Sequence, residues 1–178
     1  MSWRVVLTGP ECTGKTTLSL VLADRLGATW VPEVARAYAE AHGGALSAAD
    51  VEPIATATCD ELQRAYTSGD PLIVADTDLV STMVYARAYY GACPAWIEEQ
   101  CGALRAELYL LCTPDLPWEP DGVRDQPELA DRTTMHAAFN DALRALGAHV
   151  VRISGSGEER VEAALRAVRA ALPAELRR

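Results

Sequence analysis

The chain has 178 residues and a formal net charge of −9, with 49% hydrophobic and 23% charged residues. These values fit one globular domain, residues 1–178, without a membrane partner, because no apolar run approaches the roughly 18 residues that span a bilayer. The acidic balance argues against a nucleic-acid partner, and the lack of a signal-peptide pattern indicates the cytoplasm.

Short apolar runs alternate with segments of helical periodicity along the chain. In chain order, the predicted strands are residues 4–7, 28–31, 72–75, 108–112 and 149–153. The predicted helices are residues 15–26, 34–42, 47–68, 79–90, 94–106, a segment that ends near residue 146, and 158–172. This alternation predicts an α/β fold, with a five-stranded parallel sheet flanked by helices. Residues 113–132 are rich in Pro, Asp and Arg without periodicity, so we expect a loop or lid there.

The segment after the first predicted strand, residues 9–16, has the sequence GPECTGKT and matches the P-loop pattern in full. A P-loop turns backbone N–H groups toward phosphate oxygens, and the helix that follows adds its dipole. Lys15, the one lysine beside fifteen arginines, is expected to reach the β- and γ-phosphates of ATP. The Thr16 hydroxyl is expected to coordinate Mg²⁺. The other predicted nucleotide contacts in this loop are Gly9, Thr13, Gly14 and Thr17.

Acidic residues follow two other predicted strands. Asp76 and Asp78 come directly after the third strand, where a carboxylate beside a P-loop holds Mg²⁺ or contacts the acceptor, although either one could instead cap the next helix. Glu33 follows the second strand, where a kinase needs a carboxylate to accept a hydroxyl proton. Arg36, one helical turn later, is a candidate for holding the acceptor. The alternative for Glu33 is a surface side chain in a first helical turn.

The predicted lid and the turn after the fifth strand supply further candidates. Arg124 and Arg132 could neutralise the charge that develops during phosphoryl transfer, although solvated surface arginines are the alternative. Gly155 lies in a turn that could pass over the adenine of ATP. Trp118 also lies in the predicted lid, whereas Tyr38 lies on a predicted helix, where core packing is the first expectation.

Four further sequence segments accompany the P-loop in a fixed order: PEVAR at 32–36, DTD at 76–78, PDLPW at 114–118 and DGVR at 121–124. The set covers nearly the whole chain and resembles the ribosylnicotinamide kinase domain of bacterial NadR-type NAD-salvage proteins. The resemblance implies a nucleoside-kinase-like fold with a lid. It also implies transfer of the ATP γ-phosphate to the 5′-hydroxyl of nicotinamide riboside. The pyridinium of that acceptor is flat and cationic, so the resemblance further implies an aromatic contact such as Trp118 or Tyr38.

Carried onto this chain, the resemblance places Glu33, Asp76 and Asp78 near the acceptor and makes Arg124 the lid arginine. Two other functions stay open at this point. One is a kinase for another nucleoside or nucleotide, and the other is a P-loop regulatory ATPase or switch. The sequence does not indicate which carboxylate is the base or what the oligomeric state is.

Overall fold

Five parallel strands form the central sheet of the protein. The computed structural model describes residues 2–120 and 126–177. The strands β1 to β5 are Trp3–Thr8, Thr29–Val31, Leu72–Asp76, Leu108–Cys112 and Val150–Ile153. They lie in the order β2-β3-β1-β4-β5, and every neighbouring pair is parallel. The predicted five-stranded parallel sheet is therefore confirmed, with β1 at its centre.

Seven α-helices flank this sheet in the described part of the chain. The helices α1 to α7 are Lys15–Leu26, Val34–Ala41, Val51–Tyr66, Leu79–Tyr90, Ala95–Ala103, Leu129–Ala145 and Gly157–Ala171. The bounds of α1 and α4 coincide with those predicted from the sequence. None of the described helices is long and apolar enough to cross a membrane.

The sheet separates two apolar layers. On one face, Leu18 of α1 and Val168 of α7 pack together against the strands. On the other face, Leu62 of α3, Met83 of α4 and Phe139 of α6 form a larger cluster. Because β-strand side chains alternate between faces, the buried residues of β1 supply both layers. Each such buried side chain stabilises the fold by about 1.5–3 kcal/mol.

The predicted helix 47–68 begins differently from the expectation. Ala48–Asp50 forms a short 3₁₀ turn, and the α-helix proper starts at Val51. The cause is the Asp50 carboxylate, whose Oδ2 accepts hydrogen bonds of 2.8 Å from both the backbone N–H and the hydroxyl of Ser47. The predicted lid is also shorter at its end, because α6 already begins at Leu129.

The order of the strands decides where a ligand can bind. β1 pairs with β3 on one side and β4 on the other, and Leu7 of β1 lies opposite Asp76 of β3. The loop after β1 therefore emerges between the loops that follow β3 and β4. In open α/β sheets, ligands bind at such a point, beyond the carboxyl ends of the strands.

Candidate functional site

The P-loop has the backbone conformation that its glycines predict. Gly9 has φ +126° and Gly14 has φ +72°, both in the region that favours glycine. A Cβ atom on Gly9 would lie 2.7 Å from the carbonyl oxygen of Cys112 at the end of β4. Gly9 is therefore fixed by a close approach of two backbones as well as by its conformation.

Two side chains of the P-loop converge on one carbonyl of the same loop. The Lys15 Nζ donates to the Pro10 oxygen at 2.8 Å, and the Thr13 hydroxyl donates to the same oxygen at 2.9 Å. α1 begins at Lys15, directly after Gly14, which has no side chain to cap the helix. The first N–H groups of α1 and the Lys15 ammonium thus lie together at one place, as binding of an anion requires.

Asp76 is the last residue of β3 and is fully buried. Burial, and secondly the charge of Glu33, raises the pKa of Asp76 above its ordinary value, while Thr16, Lys15 and Arg36 act in the opposite direction. Thr16 lies near enough to act on this carboxyl, yet neither Asp76 oxygen has a well-formed hydrogen bond within the described residues. A buried carboxylate with open oxygens beside a threonine hydroxyl is a suitable ligand pair for Mg²⁺.

Asp78 begins α4 and has two structural contacts. Its Oδ1 accepts from the Val80 N–H at 3.0 Å, which caps the helix, and its Oδ2 accepts from the Tyr109 hydroxyl at 2.7 Å. Burial raises the pKa of Asp78 to about 6, against the lowering effect of these bonds. The capping alternative for Asp78 is thus realised, and the carboxyl still lines the cleft described next.

One cleft of about 800 Å³ joins the P-loop to the walls formed by α2, α3 and α4. The predicted site residues that line it are Thr13, Gly14, Lys15, Thr16, Thr17, Glu33, Arg36 and Asp78. Glu33 precedes α2, and its Oε2 lies 3.3 Å from the Nε of Arg36. The structure therefore brings together the P-loop and the residues that follow β2 and β3, at the carboxyl edge of the sheet.

Several predicted residues lie elsewhere. Tyr38 is not among the residues that line the cleft, because its hydroxyl donates to Asp50 at 3.0 Å and its ring stacks on His42. This placement does not support the prediction that Tyr38 offers its face to the acceptor. Trp118 also lies outside the lining, with its Nε1 donating to the Glu11 Oε1 at 2.8 Å. Trp118 thus contacts the P-loop through Glu11.

The predicted lid and turn residues have mainly backbone contacts. Arg132 is buried within α6 and donates to the Leu116 carbonyl at 3.2 Å, so it is not a solvated arginine. The Gly155 N–H donates to the Asp115 Oδ2 at 2.6 Å, which ties the turn after β5 to the loop after β4. Neither residue lines the cleft, nor does Gly9, which lies against β4. Arg124 lies outside the described residues.

Three functional candidates were missed by the sequence reasoning. Tyr85 and Tyr89 both line the cleft, with ring centroids 5.8 Å apart and planes inclined by 14°. Their spacing of four residues on one helix face was the available signal. Glu11, to which the P-loop pattern assigns no role, lines the cleft and also accepts from the Gln126 N–H at 2.8 Å.

Comparison with protein families gives one match that spans most of the chain. A family model described as an AAA domain matches residues 4–160. Among curated proteins, the trifunctional NAD biosynthesis/regulator protein NadR of Escherichia coli (strain K12) is 27% identical over 153 residues, covering 84% of this chain and 37% of that protein. The protein of the same name from Salmonella typhimurium (strain LT2) is 27% identical over 144 residues, covering 79% and 35%. The chain thus spans little more than a third of these relatives.

Solved structures show a related fold. NadR protein in complex with NR superposes with a TM-score of 0.70 at 26% identity, covering 96% of this chain and 51% of that one. NadR protein in complex with NAD and AMP-PNP gives 0.72 at 27% identity, covering 96% and 49%. Thymidylate kinase from Ehrlichia chaffeensis gives 0.69 at 12% identity, covering 94% and 98%, which is a likeness of fold alone.

Proposed function

The chain belongs to the AAA domain family, and on that premise we propose that it is a kinase of NAD salvage. It transfers the γ-phosphate of ATP to the 5′-hydroxyl of nicotinamide riboside and releases nicotinamide mononucleotide and ADP. The observation that carries this proposal is a cleft of about 800 Å³ that is lined both by the P-loop and by carboxylates and tyrosine rings. The likeness to NadR in complex with NR supports the choice of acceptor.

The charge of the cleft supports a cationic acceptor. Three carboxylates, Glu11, Glu33 and Asp78, line it together with two cations, Lys15 and Arg36. Lys15 belongs to the phosphate end, and Arg36 lies against Glu33, so the acceptor end carries negative charge. A positively charged pyridinium gains from such surroundings, whereas the phosphate of a nucleoside monophosphate is repelled.

The aromatic wall supports the same acceptor. Tyr85 and Tyr89 present a pair of nearly parallel rings on the cleft side of α4. An electron-rich ring face attracts a flat cation, and the attraction grows when water is excluded. Tyr85 is held in place by an edge contact to the buried Phe139, with centroids 5.8 Å apart. These rings replace Tyr38 as the proposed aromatic contacts of the acceptor, and Trp118 acts through Glu11.

The P-loop and its neighbours supply the chemistry of transfer. Lys15 and the N–H groups that begin α1 hold the phosphates and neutralise charge that spreads over the transferred group. Thr16 and Asp76 are the residues that would hold Mg²⁺, which neutralises phosphate charge when bound. Glu33 accepts the proton of the attacking hydroxyl, because it lines the cleft while Asp78 is occupied by Tyr109.

Further parts of the proposal come from the sequence. We retain Arg124 as the lid arginine, with residues 1–178 as one kinase domain and a lid at about 113–132. Arg132 and Gly155 then act by shaping the lid and the turn near the nucleotide. All five cysteines are free thiols, which suits a reducing compartment, and we place the reaction in the cytoplasm, where ATP is supplied.

An assay of ADP release with ATP and Mg²⁺ tests the proposal. The acceptors form a charge series: nicotinamide riboside, nicotinic acid riboside, neutral nucleosides and nucleoside monophosphates. We expect the highest kcat/KM for nicotinamide riboside and the lowest for the monophosphates, with the mononucleotide product identified by mass spectrometry. A higher kcat/KM for another acceptor would make that acceptor the substrate in place of nicotinamide riboside. ATP binding without stimulation of ADP release by any acceptor would refute the kinase proposal.

A matched pair of variants, one directly before α2 and one within it, tests the role of Glu33. Glu33→Gln removes the proposed base, and we expect kcat to fall about a hundredfold or more with ATP binding retained. Glu40→Gln makes the same change on the exposed part of the same helix and should leave kcat unchanged. Equal kcat values for the two variants would exclude Glu33 as the base.

A further inference from the structure

Arg160, at the start of α7, ties together three loops that emerge at the carboxyl edge of the sheet. It is 4% exposed. One guanidinium nitrogen donates to the Thr13 carbonyl of the P-loop at 2.8 Å and to the Thr113 carbonyl after β4 at 3.3 Å. The other donates to the Gly155 carbonyl after β5 at 2.8 Å and to the Asp115 Oδ1 at 2.9 Å. A single buried side chain thus bonds to the loops after β1, β4 and β5.

The bond to Thr13 fixes the direction of one peptide group in the P-loop. In a trans peptide the C=O and the following N–H point in opposite directions, and no peptide of the described residues is cis. With the Thr13 carbonyl held toward Arg160, the Gly14 N–H must point away from it. Thr13 and Gly14 line the cleft and Arg160 does not, so this N–H is directed to the phosphate side.

Asp115 accepts hydrogen bonds from both Arg160 and the turn after β5. Its Oδ1 accepts from Arg160, while its Oδ2 accepts from the Gly155 N–H at 2.6 Å. Burial acts to raise the pKa of Asp115, but the hydrogen bonds from Gly155, Thr113 and Arg160 outweigh it and leave the pKa below its ordinary value. The carboxylate therefore stays ionised, and the turn that contains Gly155 is held to the same guanidinium as the P-loop.

We propose that Arg160 is a positioning residue for nucleotide binding, which orients the Thr13–Gly14 peptide toward the phosphates and holds the turn at Gly155 in register with it. This inference rests on ATP as the nucleotide of the proposed function but not on the identity of the acceptor. Lysine cannot replace Arg160, because one ammonium cannot make four bonds in the directions of a planar guanidinium.

The experiment compares Arg160→Lys with Arg4→Lys as the matched control. Arg4 is a partly buried arginine that pairs with Glu107 through two contacts of 2.7 and 2.8 Å. It lies in the amino-terminal part of β1, away from the P-loop that follows this strand. Both variants lose a similar arginine network. The dissociation constant of a non-hydrolysable ATP analogue is measured by calorimetry without acceptor, and Tm is measured in parallel.

We expect the analogue's dissociation constant to rise about tenfold or more in Arg160→Lys and to change less than about twofold in Arg4→Lys, even where both lower Tm. The KM of the acceptor should stay within about twofold in both variants. An unchanged dissociation constant in Arg160→Lys would overturn the proposal, because the arginine would then stabilise the fold alone. Since no acceptor is present, a wrong acceptor assignment leaves this result untouched.

Asp115→Asn provides a second measurement should Arg160→Lys not fold. The Asp115 side chain is 35% exposed, and asparagine preserves its shape while removing the charge that holds Arg160. We expect the analogue's dissociation constant to rise several-fold, with a smaller loss of Tm than in Arg160→Lys. A dissociation constant equal to that of the unaltered protein would overturn the proposal by itself.

Discussion

Replacement of Asp78 by asparagine should make the protein more stable at neutral pH. The Asp78 carboxyl is buried at the start of α4, and its pKa is raised from 3.8 to about 6. The folded state therefore binds this proton more tightly than the unfolded state does. Stability then falls as pH rises from about 4 to about 6, and above that range the whole cost of the buried charge is present.

The magnitude follows from the two pKa values. The difference between 3.8 and about 6 is about two pH units, and at about 1.4 kcal/mol per unit the ionised carboxyl costs about 3 kcal/mol of unfolding free energy at pH 7.5. At pH 4.5 the same relation gives a cost of about 1 kcal/mol. Asp78→Asn removes the ionisation while its amide oxygen can still accept from the Val80 N–H.

Urea unfolding of the wild type and of Asp78→Asn at pH 4.5 and 7.5 measures this effect. We expect the difference in unfolding free energy between the two proteins to shift by about 2 kcal/mol in favour of the variant at the higher pH. Any change in the bond from Tyr109 is nearly independent of pH and cancels in that comparison. A shift near zero, or one in favour of the wild type, would refute the reasoning.

Asp70→Asn is the control with the opposite sign. Hydrogen bonds from Thr29 and Ser68 lower the pKa of Asp70, so its ionised form stabilises the folded state at neutral pH. Its replacement should therefore cost nearly the same stability at pH 7.5 and at pH 4.5, because this stabilisation is lost only as pH falls below the unfolded value of 3.8. The two variants separate an effect of one buried carboxyl from a general effect of pH.

Three further outcomes are expected. Gly9→Ala places a Cβ 2.7 Å from the Cys112 oxygen at φ +126°. We expect a loss of about 3 kcal/mol or more of unfolding free energy, and a Tm within about 2 °C of wild type would contradict the close approach. Lys15→Ala should lower kcat about a thousandfold or more with Tm nearly unchanged, and retained ADP release would speak against the mechanism. Arg36→Gln removes a charge that lowers the pKa of Asp76, so the pKa of Asp76 should rise. We expect the acidic limb of the pH profile of kcat to move to higher pH, and an unmoved limb would show that Asp76 does not control it.

The fold and the position of the P-loop could be predicted from the sequence, because both depend on patterns within short segments. Helical periodicity and end signals gave the bounds of α1 and α4, and the P-loop pattern gave the loop between β1 and α1. The sequence predicts that the strands pair in parallel, but it does not predict which strands are neighbours. The central place of β1 is a property of the assembled sheet.

The acceptor end was harder to predict because it depends on contacts between distant segments. Tyr38 bonds to Asp50 across the segment that joins α2 to α3, and it is not among the residues that line the cleft. Tyr85 and Tyr89 have the same spacing as core residues, and only the packing of α4 shows that they reach the cleft. Arg160 bonds to Thr13 across 147 positions of the chain, a distance at which no sequence pattern indicates a partner.

The two apolar layers support different parts of the cleft. α1 and α7 belong to one layer, and they carry the P-loop helix and Arg160. α3 and α4 belong to the other layer and form part of the cleft wall. Substitutions on that wall can accumulate without disturbing the packing behind the nucleotide. Under the proposed function, this arrangement would allow the acceptor to change while the layer behind the P-loop is kept.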